Sequence, residues 1–293
     1  MAKKSIHKKS FKLFASSFAP LVIVTIISCI VFALITSGII RSYMTTEASR
    51  VMERTSERVM DFISPNVTNI DNLVTYAEKV QDFDSLDYLA GVLAKQLRYT
   101  YALYYGTATP LADGGFFADS SDWDIDEGWE PTERPWYKDA VKQNGGLNYL
   151  EPSIDADTGE LIITLSKAVF APNNTVLGVV AADITLEELT NIAENAQISE
   201  NSKVYVLTSD GVYMTNADAS KIMTANYFED CGLKVNVSAF LDGKQKVLIQ
   251  NGRYYGVNRI GESPWFAVVE GPVSDFTGRA RFYMTAIMII SLI

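Results

Sequence analysis

Histidine and cysteine are scarce in this chain of 293 residues, which contains one histidine and two cysteines. His7 lies in a lysine-rich N-terminal stretch, Cys29 lies in an uncharged apolar run, and Cys231 lies far downstream of that run. We therefore predict that the two cysteines do not pair, and that the fold has no disulfide framework. Because the only imidazole is in the N-terminal stretch, histidine-based catalysis and most transition-metal sites are not expected elsewhere, and no cofactor is predicted.

The chain also lacks the motifs that mark common enzymes and an excess of positive charge. No nucleophile elbow, metal-ligand spacing or phosphate-binding loop is present in the sequence. The formal net charge is −10, and on electrostatic grounds we predict no nucleic-acid partner. One enzymatic alternative stays open, a membrane-anchored hydrolase with Asp155 and Asp183 as paired carboxylates. The favoured prediction is a protein that is not an enzyme.

Charged residues are absent from residues 13–40, a run of 28 positions between Lys12 and Arg41. At ~1.5 Å per residue, a helix over this run exceeds the ~30 Å hydrocarbon core of a bilayer. Five lysines precede the run, so the positive-inside rule predicts a cytoplasmic N-terminus. A cleaved signal peptide is the alternative, but the run is long and has no clear small-residue cleavage site. We predict a transmembrane helix in the inner (plasma) membrane, followed by an extracytoplasmic segment.

A second uncharged run occupies residues 282–293 after Arg279 and Arg281. This run is too short to cross a bilayer as a helix, and we interpret it as the start of a truncated second transmembrane helix. The predicted organisation is a cytoplasmic tail (1–12), transmembrane helix 1 (13–40), a long extracytoplasmic helix (41–81), a membrane-distal lobe (82–195), a membrane-proximal lobe (196–277) and this truncated helix (282–293).

The long helix carries an apolar stripe from Ala48 to Ala77, with residues recurring at intervals of three and four. Pro65 is expected to kink or interrupt it. The stripe could pair with the same helix of a second copy, or it could pack against the chain's own domain. Both alternatives are compatible with the pattern.

Short strand patterns follow, and they fall into two groups. In the first group, residues 99–105 and the apolar runs 161–170 and 176–184 predict strands, and residues 106–128 predict a loop. In the second group, residues 203–208, 212–215 and 265–269 predict strands, and residues 247–257 predict a hairpin around Asn251-Gly252. The fold class is therefore predicted as α+β with two lobes built on antiparallel sheets.

Six residues within the predicted distal lobe form a candidate ligand-binding set: Trp129, Arg134, Trp136, Ser153, Asp155 and Asp183. A guanidinium and an indole N–H suit a carboxylate, and two separate acids suit an ammonium group. Other interpretations are a core position for Trp136, a structural ion pair between Arg134 and Asp155 or Asp183, and turn positions for Asp155 and Asp157. For Asp157 the turn is the preferred interpretation.

The order and spacing of these residues resemble the double Cache (dCache) sensor modules of bacterial transmembrane receptors, from about residue 40 to about residue 280. In that family, Arg134 and Trp136 match the contacts to a ligand carboxylate, and Asp155 and Asp183 match contacts to its ammonium group. The sequence departs from the family pattern at two positions, where Trp129 and Ser153 replace tyrosines.

The resemblance implies two PAS-like lobes and a receptor most like a methyl-accepting chemotaxis protein. It also implies a small ligand, an amino acid or amine, in the distal lobe, together with a homodimer and a cytoplasmic output domain that this chain does not include. The alternatives are the sensor region of a histidine kinase or diguanylate cyclase, which use the same module, or an ectodomain that binds no small molecule.

Overall fold

The computed structural model describes residues 2–97, 99–121, 123–155, 157–233, 237–242 and 247–278, together with Phe282 and Thr285. Side chains are described from Phe18 onwards, with the exception of Ser238. Apart from Phe282 and Thr285, the predicted second membrane helix (282–293) lies outside the described residues.

The first element is one long helix, α1, which spans Ala2–Ala77. Its part from Phe18 onwards contains an 18-residue stretch with a mean hydropathy of 2.8 and no buried residue. By length and composition this helix can cross a membrane. The expected interruption at Pro65 is wrong, because the helix continues through this position. Pro65 removes the amide partner of the Asp61 carbonyl, and since both residues are exposed, water can take its place.

The other elements are shorter and alternate along the chain. The helices are α2 (Phe83–Ala94), α3 (Pro135–Lys142), α4 (Leu186–Glu194), α5 (Tyr227–Cys231) and α6 (Val237–Leu241). The strands are β1 (Thr100–Thr107), β2 (Phe117–Asp119), β3 (Asn148–Tyr149), β4 (Ser153–Ile154), β5 (Leu161–Phe170), β6 (Val176–Thr185), β7 (Lys203–Leu207), β8 (Val247–Gln250), β9 (Arg253–Arg259) and β10 (Phe266–Pro272).

The strands form two antiparallel sheets, which confirms the predicted α+β class. The distal sheet has the order β2-β1-β6-β5-β3, and β4 also pairs with β5. The predicted strands at 161–170 and 176–184 are present as its long central pair, β5 and β6. The short strands β2, β3 and β4 were not predicted, because two or three residues are too few to show a period of two.

The proximal sheet has the order β7-β10-β9-β8. The predicted hairpin is confirmed, with Asn251 and Gly252 at φ of 51° and 74° between β8 and β9. The predicted strand at 212–215 is wrong, because this segment forms only isolated bridges. Some backbone bonds remain, such as the one from the Met214 amide to the Val206 carbonyl at 2.9 Å. Hydroxyl groups supply others: Thr208 accepts from the amide of Val212 at 3.0 Å, and Thr215 accepts from that of Val206 at 2.9 Å.

The apolar stripe of α1 packs against the chain's own sheets. Its residues Val59, Ile63, Ile70 and Leu73 are fully buried. The helix contacts β5 and β6 of the distal sheet and also β8, β9 and β10 of the proximal sheet. The sequence left open whether the stripe pairs with a second copy or packs against the chain's own domain. Packing against the chain's own domain accounts for the stripe. One continuous helix thus connects both sheets to the apolar N-terminal segment.

Candidate ligand-binding cavity

A cavity of about 500 Å³ lies on one face of the distal sheet. Its floor comes from β1, β5 and β6, and the segments from β2 to α3 and from β3 to β4 enclose it. All six residues predicted from the sequence line this cavity: Trp129, Arg134, Trp136, Ser153, Asp155 and Asp183. The structure therefore brings the whole predicted set to one place.

Small residues and prolines bring the segment before α3 close to the sheet. A Cβ at Gly106 on β1 would lie 2.8 Å from the Cβ of Pro131, so only glycine allows this approach. Pro135 occupies the first turn of α3, where its missing amide costs no helical hydrogen bond. The hydroxyl of Ser166 on β5 donates to the carbonyl of Trp136 at 2.8 Å. These contacts fix Arg134 and Trp136 at the edge of the cavity.

Trp136 serves both as a packing residue and as a lining residue. It is 8% exposed, and its ring lies edge-on to Tyr104 with 5.0 Å between centroids. Trp129 packs on Phe117 at 4.8 Å and on Trp123 at 5.2 Å. Its buried Nε1 has no hydrogen-bond partner among the described residues. The interpretation of Trp136 as a core residue is thus correct but incomplete, because its ring also lines the cavity.

Arg134 is exposed at the cavity edge, with its guanidinium carbon 5.9 Å from the centroid of the Trp129 ring. Within the part of the chain that the structure describes, it makes no ion pair with Asp155 or Asp183. The alternative of a structural ion pair is therefore wrong. The guanidinium lies within cation–π range of an aromatic ring, and its N–H donors bond to no described residue.

Asp183 is the most deeply buried acid of the cavity, with 7% exposure. Its Oδ1 accepts from the hydroxyl of Tyr104 at 3.1 Å and from that of Thr164 at 2.6 Å. Its Oδ2 accepts no hydrogen bond from any described residue. Burial raises the pKa of Asp183 to about 7, against the two hydroxyl bonds, which lower it. Among the described residues, this buried carboxyl group thus has no cationic partner, and one of its oxygens accepts no hydrogen bond.

Asp155 combines a turn role with a place in the cavity lining. Its Oδ1 accepts from the amide and hydroxyl of Thr158 at 2.7 and 2.8 Å and from the amide of Asp157 at 3.2 Å. Asp157 was interpreted as a turn residue only, but its carboxylate also lines the cavity and accepts from the hydroxyl of Tyr101. Ser153 is half-buried on β4 and lines the same side.

Several lining residues were missed by the sequence analysis, above all Tyr104, Thr164 and Asp119. Tyr104 and Thr164 could have been found, because they lie on strands that flank Asp183, where Thr164 is its direct cross-strand partner. Asp119 ends the three-residue strand β2 inside the predicted loop, and no sequence signal indicates that its side chain faces the cavity.

Comparison with known proteins supports the observed architecture. The sequence model of the dCache_1 family, described as "Cache domain", matches residues 36–280 of this chain. Methyl-accepting chemotaxis protein McpB of Bacillus subtilis is 28% identical over 105 residues, which are 36% of this chain and 15% of McpB. The chain therefore spans only a small part of the length of this relative.

Two solved structures are similar to most of the chain. The ligand-binding domain of the Pseudomonas fluorescens chemoreceptor CtaA, in complex with L-serine, has a TM-score of 0.65 and 21% identity. The match covers 79% of this chain and 98% of that domain. The ligand-binding domain of the Pseudomonas aeruginosa PAO1 amino acid chemoreceptor PctC, in complex with GABA, has a TM-score of 0.62 and 17% identity. That match covers 78% of this chain and 99% of that domain, and both likenesses concern the fold.

Proposed function

The chain belongs to the dCache family of Cache domains, and on this premise we propose that it is the ligand-sensing region of a transmembrane chemotaxis receptor. The distal lobe, residues 82–195, binds a small amine-bearing ligand such as an amino acid. The observation that carries the proposal is the buried carboxylate of Asp183, which has no cationic partner among the described residues and lines a cavity whose edge carries Arg134.

The cavity offers complementary partners for both charged ends of an amino acid. The ammonium group pairs with Oδ2 of Asp183 and with the oxygen of Asp155 that the turn leaves unused. The carboxylate pairs with the guanidinium of Arg134, which has room for a bidentate contact, and with the indole of Trp136. L-serine in CtaA and GABA in PctC are ligands that carry both groups. Their chemistry agrees with the ligand class proposed for this chain.

The helix α1 provides a mechanical route from the cavity towards the membrane. It packs on the distal sheet, on the proximal sheet and then continues into the apolar segment. Ligand contacts that favour a closed distal lobe shift the chain between two packed states, and the helix carries that displacement. We assign the output to chemotaxis, through a homodimer with a cytoplasmic output domain, because relatives such as McpB are chemotaxis proteins. No catalytic role is proposed.

Calorimetry on the purified chain in detergent micelles, titrated with a panel of amino acids and amines, tests the binding. We expect saturable binding of at least one amine-bearing ligand, and no product formation on prolonged incubation. Turnover of a bound ligand supports an enzyme instead. If no compound of the panel binds, the result supports an ectodomain without a small ligand and contradicts the proposal.

The proposed topology has a separate test. In a background without Cys29 and Cys231, the substitution Asp113→Cys places a thiol at an exposed position of the distal lobe. An impermeant maleimide should label it on intact cells, whereas Ser5→Cys in the N-terminal tail should stay protected. The reverse labelling pattern contradicts an extracytoplasmic sensor.

A further inference from the structure

The charges around the cavity are unequal. Among the described residues that line it, six carry carboxylates and one carries a guanidinium; the carboxylates belong to Asp119, Asp139, Glu151, Asp155, Asp157 and Asp183. Asp139 is paired with Lys142 at 2.6 Å, which leaves five acids against Arg134. A zwitterionic amino acid adds no net charge and leaves this excess in place. A ligand with a second positive charge reduces it.

Asp119 is the acid whose position fits a second cation. Its carboxylate lines the cavity, where it accepts from the amide of Ser121 at 3.1 Å and from the Ser121 hydroxyl at 2.6 Å. It makes no ion pair with a lysine or arginine among the described residues. Burial raises the pKa of this carboxyl, and the carboxylates of Asp87 and Asp155 raise it further, while the Ser121 bonds lower it. The ionised form therefore lacks a countercharge among the residues that the structure describes.

The sheet register sets the distance between Asp119 and Asp183. Asp119 lies opposite Tyr104 on one side of β1, and Asp183 lies opposite Ala102 on the other side. With strands ~4.8 Å apart and a rise of ~3.3 Å per residue, their Cα atoms are roughly 12 Å apart. Both residues line the same cavity, and Tyr104, the cross-strand partner of Asp119, donates its hydroxyl to Asp183. One end of a ligand can pair with Asp183 while a flexible chain carries a second cation to Asp119.

We propose that the cavity selects ligands with two cationic groups, a basic amino acid or a diamine, and that Asp119 is the specificity-determining residue that holds the second cation. This inference rests on the proposed function and names the ligand class of the same site. Asp157, held by Tyr101 in the lining of the same cavity, adds to the negative potential there.

The test compares L-lysine with L-norleucine, which has the same backbone and a side chain of similar length without the ammonium group. Calorimetry on the full chain in detergent micelles should give an affinity for lysine at least about tenfold higher than for norleucine. Asp119→Asn should remove most of this preference and leave norleucine within about threefold of its wild-type affinity. The matched control Asp113→Asn removes an exposed carboxylate outside the cavity and should leave the preference unchanged.

The diamine cadaverine, which is lysine without its carboxylate, identifies the ligand source. Stronger binding of cadaverine than of lysine indicates a diamine receptor, and stronger binding of lysine indicates a basic amino acid; Asp119 dependence supports the proposal in both cases. Binding of norleucine as tight as that of lysine overturns the inference and leaves the proposed function standing. A lysine preference that survives in a folded Asp119→Asn variant overturns the role of Asp119. If no amine-bearing ligand binds at all, the inference and the proposed function both fail.

Discussion

The two sheets differ in how an acid on a central strand is paired, with Glu270 of the proximal sheet partly buried and Asp183 of the distal sheet buried. In the proximal sheet, Glu270 on β10 pairs with Arg253 at 3.1 Å and accepts from the hydroxyl of Tyr227 at 3.3 Å. In the distal sheet, Asp183 on β6 has two hydroxyl partners and no cation among the described residues. A buried charge is costly unless it is paired, and among the described residues only the proximal acid has a cationic partner.

The aromatic side chains that lie over the two sheets are also arranged differently. Tyr205, Tyr213 and Tyr227 pack against each other over the proximal sheet, with ring centroids 5.1 to 6.0 Å apart. Over the distal sheet, aromatic rings stand around a cavity of about 500 Å³. Antiparallel sheets of one kind thus carry a packed cluster of tyrosine rings in one lobe and an open charged cavity in the other. The function follows from the lining and not from the sheet.

The largest expected effect is that of Asp183→Asn. The substitution keeps the shape of the side chain and removes the charge that faces the ammonium group. Because the partner charge in the complex is buried, affinity for the ligand should fall by roughly 2–5 kcal/mol. Calorimetry measures the loss, and a melting curve checks the fold. Wild-type affinity in a folded variant shows that the ammonium group binds elsewhere.

Ligand affinity should also depend on pH through Asp183. The pKa of about 7 in the ligand-free chain means that binding of an ammonium group at lower pH has to displace a proton. Between pH 7 and about pH 5, affinity should fall by up to about tenfold per pH unit. Titrations at several pH values test this. A profile that is flat over this window in the wild type contradicts the assignment of Asp183.

The stability of the ligand-free chain should depend on pH in the direction opposite to that of ligand affinity. The folded chain keeps the proton on Asp183 up to a pH of about 7, whereas the unfolded chain releases it near the ordinary value of 3.8. The free energy of unfolding should therefore decrease as the pH rises from about 4 to about 7. Asp119, whose pKa is also raised, contributes in the same direction. Melting curves of wild type and Asp183→Asn should diverge at pH 8, with the variant the more stable.

A smaller effect is expected for Arg134→Ala. The structure shows the arginine exposed at the cavity edge, whereas Asp183 is buried. A charge-assisted contact that is partly screened by solvent should cost about tenfold in affinity for an amino acid. The matching amine without a carboxylate should bind the variant as it binds the wild type. Equal losses for both ligands indicate that the arginine shapes the cavity and does not hold a carboxylate.

The smallest effect is expected in the proximal lobe. Tyr213 is 3% exposed, and the hydroxyl has one long contact of 3.5 Å to Asp230. Tyr213→Phe should leave ligand affinity within about threefold, or ~0.7 kcal/mol. A loss of about a hundredfold in the same titration places the ligand in the proximal lobe and contradicts its assignment to the distal lobe.

The sequence was sufficient to predict the long elements and the six lining residues. The runs that became β5 and β6 are ten residues each, long enough for composition to identify strands. The short strand β2 was missed, and Asp119 with it, because its side-chain direction depends on a register with β1 that only the folded sheet sets. The same limit applies to Arg134, whose exposure depends on how the segment at Pro131 lies on Gly106.

A structure of the chain with the tightest ligand from the panel tests the central claim most directly. We predict the ligand in the distal cavity, with its ammonium nitrogen at about 2.7–2.9 Å from Oδ2 of Asp183. Tyr104 and Thr164 should keep their bonds to Oδ1 of this carboxylate. A ligand bound above the proximal sheet, or one whose ammonium group lies away from Asp183, contradicts the proposed binding site.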